Sequence, residues 1–212
     1  MEDLAKLSRK EREKLIRKHD IQRAAAKLFS EKGFSNTTLE DIAVSSEFGI
    51  GTIYNYFQSK EEIFRSIIEA IFDANFEIMM LTDKEAVSLR EFLSSYTRRI
   101  FEYFSANKEA LLLLVSYFTG SGERPVNLKH ESFEPKHCQM DERIIERIKK
   151  GMENNEIRKL NAENLYYYYH SLVFPYITNL IRLNKLSESN TAEHADFVLD
   201  VLFNGISINK TN

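Results

Sequence analysis

One cysteine in 212 residues, Cys138, cannot close an intrachain disulfide, and no CxxC pair or nucleophile signature beside it points to redox or metal chemistry. Helix breakers are scarce as well, with seven glycines and three prolines, and the chain is rich in Glu, Lys, Leu and Ile. That balance favours helix over sheet and predicts an all-α protein. No strand alternation and no internal repeat interrupts it. Long apolar runs are missing: the longest, Ala110 to Val115, is far too short to cross a bilayer, and the N-terminus has no apolar signal core. A soluble, cytoplasmic protein without membrane contact is expected. Also lacking are a nucleophile–base pair, a phosphate-binding glycine loop and a zinc spacing. His130, His137 and Cys138 are the one cluster with metal-ligating atoms, and they read as exposed loop residues. The expectation is therefore no enzyme, no cofactor and no metal.

What the chain does have is 43% hydrophobic residues, enough for a real core, and an uneven distribution of charge. Residues 1–32 hold ten Lys and Arg against six acids, while the whole chain carries a net charge of −3. The basic start suits phosphate binding, and the acidic remainder would be repelled from DNA. Ser8 to Lys18 reads as a frayed helical arm, and Ile21, Ala24, Ala25, Leu28 and Phe29 mark the first core helix, stopped by Gly33.

After this helix both Thr37 with Glu40 and Thr38 with Asp41 fit a capping box. A short helix then carries Leu39, Ile42 and Ala43 on one face. Glu47-Phe48-Gly49 makes the connection, Phe48 plugging the angle and Gly49 capping a second helix from about Ile50 to Phe57. Ile53 and Phe57 face inward, which leaves Ile50, Thr52, Asn55 and Tyr56 outward. This is a helix-turn-helix pattern, and Ser59 with Glu62 caps the helix that follows.

The two stretches GFSNTTLEDIA and GTIYNYFQSKEEIF resemble the DNA-binding segment of the tetracycline-repressor (TetR/AcrR) family of bacterial transcription regulators. Members share a TT-x-x-x-IA entry and a GT-[LI]-Y-x-[YH]-F-x-x-K-E exit. The resemblance covers about the first third of the chain. It departs from the family in the turn, where Ser46-Glu47-Phe48-Gly49 replaces the usual Ala-Gly-Val-Ser. A left-handed Glu47 would cost ~1–2 kcal/mol.

The resemblance implies an all-α protein in three parts: a basic arm at 1–18, a three-helix DNA-binding domain at 19–64 with its motif at about 38–57, and a helical effector-binding and dimerisation domain at 65–212. Ile50, Thr52 and Asn55 are the expected base-edge contacts. Thr37, Thr38, Gly51, Tyr54, Tyr56 and Lys60 complete the DNA-binding set, hydroxyls and an ammonium near helix ends suiting phosphates. The partners implied are a palindromic DNA operator, a small-molecule effector and a second copy of the chain. The competing class is a helical enzyme, or a protein-interaction module that keeps the motif as scaffold.

Helical patterns continue at about Lys84–Ser105, Asn107–Phe118, Cys138–Asn154, Asn161–Asn184 and Thr191–Ile208, with Gly120–Lys136 as a long connection and Pro175 expected to kink its helix. The apolar stripes of the last two helices are wide, and predict a dimer interface through Leu172, Tyr176, Leu180, Val198, Leu199 and Leu202; an internal core is the alternative. Core packing accounts for most of the aromatic residues. An effector pocket, implied by the resemblance, would draw on Tyr96, Phe104, Phe118, Tyr168, His170 and Phe174 and suit an apolar or aromatic molecule. His170 reads first as a core histidine.

Overall fold

The structure is a computed structural model that describes residues 8–119 and 134–205. All regular structure among the described residues is helical, and the fold is all-α. The helices are α1 (Arg9–Lys32), α2 (Leu39–Ser45), α3 (Ile50–Tyr56), α4 (Lys60–Glu85), α5 (Leu89–Ala106), α6 (Lys108–Thr119), α7 (Glu134–Glu153), α8 (Ala162–Arg182) and α9 (Thr191–Asn204). The chain forms two compact units: one takes the described residues through Ile71 with those of α6 from Glu109, the other Phe72–Lys108 with α7, α8 and α9. Helix α4 contributes to both.

In the first unit, α1 is a single helix from Arg9 onward. The expected fraying is absent because Ser8 caps it reciprocally with Glu11: Oγ accepts from the Glu11 amide at 3.3 Å, and the Ser8 amide donates to the Glu11 carboxylate at 2.8 Å. Ile21, Ala25, Leu28 and Phe29 are buried, as are Ile42, Ile53, Phe57, Ile63 and Phe64, and α1 packs on α2. Phe29, Phe34 and Phe64 form an aromatic cluster with centroids 5.2 to 5.8 Å apart, and Tyr117 of α6 joins it at 6.1 Å from Phe64. Gln22 donates from Nε2 to the Ser66 hydroxyl at 2.9 Å and to the Ser66 carbonyl at 3.1 Å, which fixes α1 on α4.

In the second unit α5 packs on α9, and α7 on α8. Phe92, Tyr96, Ile100, Phe101 and Phe104 of α5 point into the core, where Ala195, Val198 and Leu199 of α9 cover part of them. Three expectations change here. Leu180, Val198 and Leu199 are 6%, 4% and 6% exposed within one chain, so they are core residues and not a dimer face. The apolar stripes looked too wide for a single chain because the α5 stripe that covers α9 lies about a hundred positions away in sequence. Leu172, Tyr176 and Leu202 are half-buried. The helix expected at 84–105 divides at Ser88, whose hydroxyl accepts from the Glu91 amide at 3.1 Å and starts α5, while α4 extends to Glu85. Residues 134–136, expected in a loop, lie in α7; Gly120–Phe133 and His130 are outside the described residues.

Candidate nucleic-acid interface

Thr38, not Thr37, caps helix α2. Thr38 Oγ1 accepts from the Asp41 amide at 3.1 Å and the Asp41 carboxylate accepts from the Thr38 amide at 3.0 Å, closing one of the two capping boxes the spacing allowed. The Thr38 amide, then its hydroxyl, then Lys32 hold the Asp41 carboxyl below the ordinary aspartate range. The other threonine is fully buried and donates its hydroxyl to the Gly33 carbonyl at 2.8 Å. Gly33, at φ 83°, ends α1 and gives that carbonyl its orientation.

The turn between α2 and α3 is a Schellman closure. The Phe48 amide returns to the Ala43 carbonyl at 3.0 Å and the Glu47 amide to Val44 at 3.2 Å, which requires a left-handed residue between the helices. Glu47 takes that place with φ 60°. The same closure ends α7 at Asn155 and α8 at Asn184, with φ 59° and 53°. Asparagine tolerates this conformation and glutamate does not, so the turn between α2 and α3 carries strain of ~1–2 kcal/mol that the other two do not.

Helix α3 is capped by Gly49, whose carbonyl accepts from Thr52 at 2.8 Å and Ile53 at 3.2 Å. Ile53 is fully buried and Phe57 nearly so. This anchoring turns Ile50, Gly51, Tyr54 and Asn55 to solvent and leaves Thr52 and Tyr56 half-exposed. Nothing in the chain lies within 4 Å of a Cβ built at Gly51. A helical glycine costs ~0.5–1 kcal/mol relative to alanine, and packing within the chain gives no reason for this one.

The structure gives Thr37 and Lys60 tasks other than the phosphate contacts expected of them. Thr37 has no surface to offer. Lys60 donates from Nζ to the carbonyls of Phe34 at 2.8 Å, Thr37 at 3.0 Å and Ser35 at 3.2 Å, and sits 4.6 Å from the Phe34 ring. An ammonium has three protons, and all three are directed to the bend between α1 and α2. Sequence spacing could not reveal this because the acceptors are backbone atoms more than twenty residues away.

The expected effector residues do not gather around one cavity. Tyr96 and Phe104 are packed in the core, Phe118 is half-exposed on α6, and His170 stacks on Phe174 at 4.4 Å. Tyr96 donates to Asn75 Oδ1 at 3.3 Å, Thr97 and Tyr169 share a hydrogen bond of 2.8 Å, and Tyr166 donates to Asp141. Burial, before any neighbouring charge, pushes the Tyr96, Tyr166 and Tyr169 phenols up, and Tyr103 to about 12. Of the six, Tyr168 lines a groove of about 540 Å³ in the second unit, formed with Leu93, Ile148, Leu165 and Phe203 and flanked by Arg90 and Arg158. These come from four helices and one loop, and no local pattern joins them. Cys138 is exposed, and the side chain of His137 lies outside the described residues.

A buried-face helix, a three-residue turn and an outward-facing second helix on a small aromatic core define a helix-turn-helix protein. Residues 21–67 match the tetR family of bacterial regulatory proteins. The HTH-type transcriptional regulator YfiR of Bacillus subtilis is 40% identical over 88 residues, 41% of this chain and 42% of YfiR. IcaR of Staphylococcus aureus, the negative transcriptional regulator of the biofilm operon icaADBC, is 37% identical over 62 residues, 29% of this chain and 33% of IcaR. The chain thus spans less than half the length of the curated relatives it matches. The fold of the regulator FadR from Bacillus subtilis, crystallised with stearoyl-CoA, is similar with a TM-score of 0.68 at 20% identity, covering 89% of this chain and 99% of that one. Over residues 21–67 the chain is thus similar to the tetR family, and its fold is similar to that of FadR.

Proposed function

We propose that this protein is a ligand-responsive transcription repressor that binds a palindromic DNA operator as a homodimer in the cytoplasm. The observation that carries the reading is α3, where Ile50, Thr52 and Asn55 face outward from a buried Ile53–Phe57 anchor in the segment that matches the family. Ile50, Thr52 and Asn55 then read base edges in the major groove, and Thr38, Tyr54 and Tyr56 meet phosphates. Gly51 lets the duplex approach the helix backbone, which accounts for a glycine that packing within the chain does not require. IcaR is a negative regulator and FadR was solved with a ligand; both support repression under effector control. The relatives are regulators and not enzymes, and among the described residues no helix is long and apolar enough to cross a membrane. The test is electrophoretic mobility shift with the DNA upstream of the protein's own gene. Asn55→Ala is expected to lose ~1–3 kcal/mol of discrimination between operator and scrambled DNA, since it removes a bidentate base contact. Equal losses on both duplexes would remove Asn55 from the reading set.

The effector in this reading has an apolar or aromatic body and occupies the groove bounded by Leu93, Leu165, Tyr168 and Phe203. Arg90, whose guanidinium stands 4.0 Å from the Phe203 ring, and Arg158 suit an anionic end. Stearoyl-CoA, the amphipathic ligand of FadR, is a fitting probe. Helix α4 transmits the effect, being continuous from Lys60 to Glu85. By linkage, a ligand that weakens operator binding tenfold, or ~1.4 kcal/mol, must itself be weakened tenfold by operator DNA. Titration calorimetry with stearoyl-CoA, with and without operator, checks this. Tight ligand binding that leaves operator affinity unchanged would rule it out as the inducer.

A further inference from the structure

We propose that the N-terminal half of α1 is a rigid cationic arm that grips DNA phosphates outside the half-site, through the row Lys10, Lys14 and Lys18; this rests on the reading of α3 as the DNA-reading helix. Every residue of α1 from Arg9 to His19 is exposed, and the first fully buried one is Ile21. At 1.5 Å per residue, that is an exposed helical projection of roughly 17 Å.

The arm is helical for reasons of its own. Ser8 and Glu11 close the capping box, and Arg9 pairs with Glu13 at 2.9 Å. Those two contacts also occupy both acids of the arm, Glu11 at the cap and Glu13 on Arg9. No carboxylate among the described residues pairs with Lys10, Lys14 or Lys18. Spaced four apart, the three lysines lie on one stripe of the helix at about 6 Å intervals. The stripe starts beside the proposed reader: Lys18 Nζ is 5.9 Å from the ring of Phe57, the residue that ends α3. It runs outward from there.

Like charges at i, i+4 destabilise a helix by a few tenths of a kcal/mol per pair, so such a row is favoured only against an anion. A regularly spaced polyanion continuous with the DNA held by α3 is the flanking duplex itself, which carries one charge per roughly 1.7 Å of its axis. The lysines would neutralise phosphates there without reading sequence.

The experiment is fluorescence anisotropy on two duplexes from the upstream DNA, one trimmed to the palindrome and one extended by about 10 base pairs, a helical turn, on each side. Wild type is compared with the K10Q/K14Q/K18Q variant across a salt series. On the extended duplex the variant should show a slope of log K against log salt shallower by about 5.4, three phosphates for each of the two protomers at 0.9 each. Between 50 and 200 mM salt, wild type then loses roughly 2,000-fold more affinity than the variant. On the trimmed duplex the slopes should coincide. K10R/K14R/K18R, which keeps the charge, should retain the wild-type slope on both. Equal slopes for wild type and the Gln variant on the extended duplex would overturn the arm, and an equal reduction on both duplexes would overturn its flanking position. A wild type that binds neither duplex would instead overturn the reading of α3.

Discussion

Phe197→Glu is expected to leave the protein folded and to abolish its dimer, and with it most of its operator affinity. Phe197 is 56% exposed on α9 and packs at 5.6 Å on Tyr176, whose hydroxyl lies 3.0 Å from His194 Nδ1. Exposed Tyr168 and Pro175 continue this surface along α8. An uncovered aromatic patch on two adjacent helices suits a two-fold contact, in which the same residues meet their own copies. A glutamate there places two carboxylates against each other across the axis, while costing the free chain little because the site is already solvated. Two readers joined in a dimer gain about 10²–10⁴-fold over one through effective concentration, and that factor should be lost. Sedimentation and anisotropy measure both halves of the effect, and the helical circular dichroism should not change. Leu199→Glu makes the contrast: it places a charge in the core and should unfold the unit. A monomeric wild type at micromolar concentration, or a dimeric variant with full affinity, would sink the assignment.

Asp83→Ala should be the most destabilising single change at a charged residue of the second unit. The Asp83 carboxylate, 18% exposed, pairs with Arg147 at 3.0 Å and Arg143 at 3.2 Å, and Arg147 is 19% exposed. Arg147 also donates to the Asp83 and Ala86 carbonyls, which bind α7 to the end of α4. Removing the carboxylate leaves a largely buried guanidinium with only dipoles to compensate it. The expected cost is about 3 kcal/mol, the low end for a broken buried pair because those carbonyls remain. For a chain of this size that is a fall in melting temperature of roughly 6–12 °C. The Arg98–Asp196 pair is as short, 2.7 Å, but half-exposed on both sides. Asp196→Ala should therefore cost less than about 1 kcal/mol. Thermal unfolding of the two variants side by side decides the matter, and equal shifts would mean that burial is not what makes the Asp83 cluster strong.

Much of the reading head was legible because it is local. The Thr38–Asp41 box, the Ile53–Phe57 spacing and the Ser59–Glu62 cap each involve residues within one helical turn, where sequence separation and spatial separation agree. The left-handed Glu47 was legible only as a condition, raised by the departure from the family's turn, and the structure gives it φ 60°. Lys60 was misread for the opposite reason. A lysine at a helix start after a DNA-reading segment suggests phosphate, but its acceptors are main-chain carbonyls, which no side-chain pattern announces.

By itself, then, the sequence determined the helical class, the helix-turn-helix and the side of α3 that faces outward, since breakers, caps and 3.6-residue periodicity act over a few residues. Only the tertiary structure decided which apolar stripes were free. Val198 and Leu199 are covered by α5, whereas Phe197, their neighbour, is not. Burial depends on which distant helix packs where, and a stripe of leucines reads the same whether its partner is a helix of the same chain or of another.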